Sequence, residues 1–115
     1  LHTEAKDHDS TDWPQIHQLY LRLHAYDHDP IVLLNAAVAL SYTGDLENAY
    51  KGIESLADVD KMKHYTPYYA ARADILRRLG RLPEAQHAYE KAITTTDSPA
   101  ERALFTKCLT ELQVT

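Results

Sequence analysis

The chain holds a single cysteine, Cys108, so no internal disulfide framework can staple it. That usage suits a reducing, cytoplasmic compartment. Glycine and proline are scarce, at three and five, and β-branched residues do not gather in alternating runs. No apolar run approaches the roughly 20 residues that would span a bilayer, and no signal peptide is visible. Positive charge is not in excess either. The formal net charge is −5, which opposes approach to a phosphate backbone, so direct DNA binding is not expected. A glycine-rich phosphate loop is missing, and no serine or cysteine stands beside a histidine with an orienting acid. Neither a cofactor nor a catalytic centre is therefore expected.

What remains is ordinary for a globular chain: 44% apolar and 25% charged residues. Its 115 residues suffice for one domain burying roughly two thirds of its unfolded surface. The chain starts at Leu1 and not at methionine, so it is expected to be a piece of a longer polypeptide.

Helical periodicity runs through nearly all of it. Residues 1–10 read as the end of a helix running into an acidic turn. From Asp12, with Pro14 in the first turn and Gln15 three residues after the cap, a helix begins. Its apolar residues Trp13, Ile16, Leu19, Tyr20 and Leu23 share one face. Pro30 opens a second helix, "PIVLLNAAVALSYT", apolar nearly all round, which must be covered on several sides. Gly44 and Asp45 end it and start "DLENAYKGIESL". A polar link, "ADVDKMKHY", follows. Thr66 and Pro67 are expected to cap and open a helix running to Leu79, and Gly80 turns the chain into "LPEAQHAYEKAITT". Ser98, Pro99 and Glu101 form a capping box for a last helix. The count is six helices plus an N-terminal stump, with no strand.

Aligning Gly44 with Gly80, 36 residues apart, exposes an internal repeat. Leu33 matches Tyr69, Ala37 matches Ala73, and Leu40 matches Leu76. Downstream, Leu46, Ala49, Ile53 and Leu56 match Leu82, Ala85, Tyr89 and Ala92. This large–small–large order around a glycine is the tetratricopeptide pattern, whose usual period is about 34 residues. The small residues let antiparallel helices approach, and large ones a turn away fill the flanking grooves. The expected fold is an all-α, tetratricopeptide-like superhelix of antiparallel helix hairpins. Its parts are a partial first repeat (1–29), a second repeat (30–57), a third (66–96) and a capping helix (98–113). A helix-turn-helix reading of "YAARADILRRLGRLPEAQHAYEKAI" fails, because the arginines lie on the first helix and at the turn, and acid stands near the start of the second.

Three segments carry a more specific likeness: "TDWPQIHQLY", "DPIVLLNAAVAL" and "YYAARADILRRLGRLPEAQHAYEKAI…SPAERALF". Together they resemble the C-terminal extension of one group of extracytoplasmic-function sigma factors of bacterial RNA polymerase, over about Thr11 to Phe105. In that group two DNA- and polymerase-binding sigma regions precede a tetratricopeptide-like domain. The family's usual "LNRAVA" reads "LNAAVA" here, with Ala36 in the basic position. The resemblance implies an accessory, regulatory domain that contacts the sigma regions, the polymerase or a signalling partner. It also implies that the sigma regions lie outside this chain.

Candidate binding residues follow from the expected groove, lined by the helices of residues 30–43 and 66–79. Arg72, Arg77, Arg78 and Arg81, joined by Asp74 and Asn35, could recognise an acidic or anionic partner. Alternatively, they serve the helix dipole and pair with Asp74 and Glu84. Asn35 either bonds a neighbouring backbone or faces the groove. Tyr65 and Tyr68 are candidates for an exposed, sticky edge, while Tyr69 belongs to the core. His24 and His28 are four apart but are not expected to share a face, and no metal site is expected. A stand-alone tetratricopeptide adaptor and a sensor of small anionic ligands remain alternative functions. With its first hairpin incomplete, the helix of Trp13 should leave apolar surface open to a self-association of the fragment that the intact protein does not share.

Overall fold

The structure, a computed structural model, describes residues 11–114. The expected stump at 1–10 lies outside those residues. The described residues form six α-helices and one short 3-10 turn, with no strand. The helices are α1 (Trp13–Tyr26), α2 (Pro30–Ser41), α3 (Leu46–Glu54), α4 (Thr66–Arg78), α5 (Leu82–Thr95) and α6 (Pro99–Val114); the 3-10 turn is Asp60–Met62. The protein is an all-α stack of helix hairpins. Each helix packs mainly on its neighbours in sequence, and α2 also touches α4.

The helix ends show why the sequence divides as it does. Asp12 accepts the Gln15 N–H at 3.1 Å and caps α1. Asp27 then holds the Asp29 N–H at 3.1 Å, and Asp29 holds the Ile31 N–H at 2.9 Å, so one acidic turn ends α1 and caps α2. That accepted N–H, with the Lys61 ammonium 3.2 Å away, keeps the Asp29 pKa below its ordinary value. Asp45 caps α3 through the Asn48 N–H. At Gly80, φ is +82°. The Arg81 N–H reaches back to the Leu76 carbonyl while the Gly80 N–H reaches Arg77, the two bonds of a Schellman turn.

Two starts differ from expectation. Thr66 does not cap α4; it is already helical, behind Tyr65. Its hydroxyl instead meets that of Thr95 at 2.8 Å, tying the start of α4 to the end of α5. The capping box of α6 is half made. Ser98 accepts the Glu101 N–H at 3.2 Å, but the Glu101 carboxylate turns to the Thr96 hydroxyl at 2.5 Å. Thr96 is buried, and its carbonyl also accepts from Arg102, so the α5–α6 corner closes around it.

The aligned small residues sit where the repeat requires. Ala49, Ala73, Ala85 and Ala92 are fully buried and Ala37 nearly so. One core cluster joins α2, α3, the link and α4 through Leu34, Ala37, Ile53, Leu56, Tyr68 and Ile75. A second joins α4, α5 and α6 through Ala73, Ala88, Tyr89, Ala92 and Phe105. Tyr69 packs against both. The link "ADVDKMKHY" is not merely polar, since its 3-10 turn drives Met62 fully into the first cluster.

Candidate functional site: a cleft between α4, α5 and α6

A concavity of about 590 Å³ is not enclosed by α2 and α4. It lies between α4, α5 and α6, lined by Asp74, Arg77, Leu82, Tyr89, Cys108, Glu111 and Leu112. Of the residues that the sequence nominated, Asp74 and Arg77 are here. Tyr89 emerges from the second core cluster to form the floor, and Leu82 and Leu112 supply apolar wall.

Asp74 Oδ1 accepts from Arg77 Nη2 at 2.7 Å, and Asp74 Oδ2 accepts from Arg78 Nη1 at 3.1 Å. The Asp74 bond, helped by Tyr89, raises the pKa of Arg77 and fixes its charge at the cleft. Burial raises the Tyr89 phenol, with Arg77 pulling partly the other way. The cleft therefore offers a fixed cation beside a neutral hydroxyl on one side and the Glu111 carboxylate on another. Apolar surface lies between them. Such a surface can hold a peptide segment through its side chains and its main-chain polar groups.

The other nominated residues go elsewhere. Arg78 reaches out of α4 into the end of α2, where Nη2 donates to the Ser41 carbonyl at 2.7 Å and Nη1 to its hydroxyl at 3.0 Å. Its guanidinium lies 5.0 Å from the Tyr42 ring, which itself packs against Trp13 at 4.6 Å. Arg72 does not pair with Asp74 or Glu84 as expected; it is ion-paired with Glu54, on α3. Arg81 pairs with Glu84 through two nitrogens, at 2.8 and 2.9 Å. Arg72 and Arg81 both stand over the Tyr50 ring, at 5.6 and 4.5 Å. The four arginines are thus dispersed over one cleft and one inter-hairpin joint instead of forming a patch.

Asn35 is exposed on α2. Of the tyrosines, Tyr68 departs from the expectation, while Tyr69 packs against both core clusters as expected. Tyr68 is buried in the first core cluster, whereas Tyr69 is half-buried and its hydroxyl donates to the Lys63 carbonyl at 2.8 Å. Tyr65 is half-buried at the core edge. His24 and His28 do meet, with ring centroids 5.1 Å apart, edge to face. The extended Asp27 folds His28 back over the helix end. No group of three or more His, Cys, Asp or Glu side chains suited to a metal occurs among the described residues. None of the helices there is long and apolar enough to cross a membrane.

Cys108, Glu111 and Leu112 were missed as cleft residues. The sequence signal was present: 108, 111 and 112 share one face of α6. Without a matching repeat glycine, nothing fixed where that face would land.

The fold and cleft define an all-α helix-hairpin domain with a mixed polar and apolar cleft near its C-terminal end. No protein-family model and no solved structure matches the chain. It is 35% identical over 103 residues to an uncharacterized protein of Rhizobium meliloti (strain 1021). The match covers 90% of this chain and 24% of that protein, so the chain spans about a quarter of the length of the curated relative.

Proposed function

We propose that this chain is a non-catalytic, cytoplasmic protein-interaction domain of tetratricopeptide-like type. In this reading it is the regulatory extension of an extracytoplasmic-function sigma factor. It contacts the sigma regions, the polymerase or a signalling protein, and so sets how often a promoter is engaged. The observation that carries the interaction reading is the cleft between α4 and α6, where Leu82 and Leu112 flank charges of both signs. The sigma-factor assignment is supported by the resemblance from Thr11 to Phe105. The length of the R. meliloti relative agrees with a domain that occurs inside a larger polypeptide.

A small-anion sensor is the weaker reading. Arg72, Arg77, Arg78 and Arg81 each face a carboxylate within the domain, which leaves less positive potential for a free anion. The test is transcription from the cognate promoter by the sigma factor carrying this domain, compared with a version lacking it. A changed output is expected, and Leu112→Glu in the cleft should reproduce part of it. Equal output from all three would remove the regulatory claim.

A further inference from the structure

The cleft between α4, α5 and α6 carries both signs of charge, on different walls. On the α4 wall, Asp74 Oδ1 accepts from Arg77 at 2.7 Å and Oδ2 accepts from Arg78 at 3.1 Å, so both oxygens of that acid are occupied. The bond to Asp74 uses one of the five N–H groups of the Arg77 guanidinium, which lines the cleft. On the α6 wall stands Glu111. A carboxylate has about four lone-pair sites, so Glu111 can accept from a ligand beside any contact it makes within the chain. Leu82, Leu112 and the ring of Tyr89 supply apolar surface between the two walls, and burial keeps the Tyr89 phenol neutral. This arrangement selects against simple ions. An anion drawn to Arg77 stands near Asp74 and Glu111 as well, and a cation drawn to Glu111 stands near Arg77. A ligand with one charge of each sign meets attraction at both ends.

We propose that the cleft binds a small zwitterion bearing an apolar side chain, the chemistry of free leucine or of a short peptide that carries it. The ligand carboxylate lies on Arg77, its ammonium on Glu111, and its side chain between Leu82 and Leu112. This rests on the reading of the cleft as a binding surface and names an occupant that regulates it. A filled cleft cannot hold a partner segment in the same place, so ligand and partner compete. The volume of about 590 Å³ falls in the usual range for small-molecule sites, roughly 300–1,000 Å³. Both polar bonds are charge-assisted, which makes them the stronger kind. Arg77 and Glu111 are nonetheless exposed, so the ligand stays partly hydrated. Binding is accordingly expected in about the millimolar range.

Titration of the 115-residue chain tests this, read by amide chemical shifts and by the rate at which iodoacetamide alkylates Cys108. Cys108 is the single cysteine and lines the cleft, so an occupant there should slow its alkylation. The probes are leucine and leucyl-glycine, then leucinamide without the carboxylate, isocaproate without the ammonium, and glycine without the side chain. Leucine or leucyl-glycine should slow the alkylation and bind at least about tenfold more tightly than each of the three deprived probes. The tighter of the two distinguishes a free amino acid from a peptide. Arg77→Gln and Glu111→Gln, both at exposed positions, should weaken binding by a similar factor while keeping the melting transition. No saturable shift with either zwitterion at tens of millimolar overturns the proposal. Isocaproate or leucinamide binding as tightly as leucine overturns it too, as do shifts that leave Cys108 alkylation unchanged. If neither zwitterion binds while Leu112→Glu still alters transcription, the protein-interaction reading stands and only the ligand falls.

Discussion

Arg77 and Arg78 are adjacent in sequence, share Asp74 as an acceptor, and do different things. Arg77 is 45% exposed and holds its acid on the surface of its own helix. Arg78 is 24% exposed and crosses to another helix, where it satisfies the Ser41 carbonyl at the end of α2. A last-turn carbonyl lacks the usual partner four residues on, and the Ser41 carbonyl otherwise accepts the Gly44 N–H at 3.3 Å, so the guanidinium there adds the shorter bond. Removing it leaves that part-buried carbonyl with the longer Gly44 bond and takes the Ser41 hydroxyl and the Tyr42 ring out of contact with the guanidinium. Arg78→Ala should therefore destabilise by about 1–2 kcal/mol, allowing for partial solvent screening. Arg77→Ala should cost below about 0.5 kcal/mol. Arg78→Lys should recover little, since an ammonium cannot bridge Ser41 and Asp74 in one plane while covering the Tyr42 ring. Urea midpoints at unchanged slope read all three. Equal losses for Arg77→Ala and Arg78→Ala would show that the crossing to Ser41 contributes nothing.

At the scale of elements, the sequence was informative wherever a local rule decides. Asp12 and Asp45 cap because a carboxylate one residue before a helix has unpaired N–H groups to bind, whatever lies further off. Ala37, Ala49, Ala73 and Ala85 were legible as contact points because two copies of a pattern register each other. Legibility ended where a partner comes from far along the chain. Glu54 for Arg72, Thr95 for Thr66 and Thr96 for Glu101 are each choices between a near acceptor and a better-placed one brought by tertiary packing. Met62 was hidden by its polar neighbours, although a short 3-10 turn needs only one residue to plug a core. The two repeat glycines differ in the same way. Both have positive φ, but among the bonds at these turns only Gly80 shows the paired Schellman bonds. A side chain at 80 meets no neighbouring atom within 4 Å, so the cost of substitution is conformational alone. Gly80→Ala should destabilise by about 1 kcal/mol and Gly80→Asn by less, because asparagine tolerates the left-handed region. Thermal melts of the pair check this, and an asparagine variant less stable than the alanine one would contradict it.

For the whole molecule, α4 is the element that both core clusters share. Tyr68 and Ile75 face the first, Ala73 faces the second, and Tyr69 touches each. Stability in such a stack comes from neighbour contacts, so it should be greatest at the shared helix and fall toward either end. Helix α6 contributes Phe105 as its buried residue and is held at its start by the Thr96 corner, while α1 contributes none. Native-state hydrogen exchange on a dilute sample should find the amides of α4 opening near the global unfolding free energy, those of α6 lower, and those of α1 lowest. Protection of α1 equal to that of α4 would mean that α1 is held as firmly as the helix shared by both clusters. The order of opening expected from the two clusters would then be wrong.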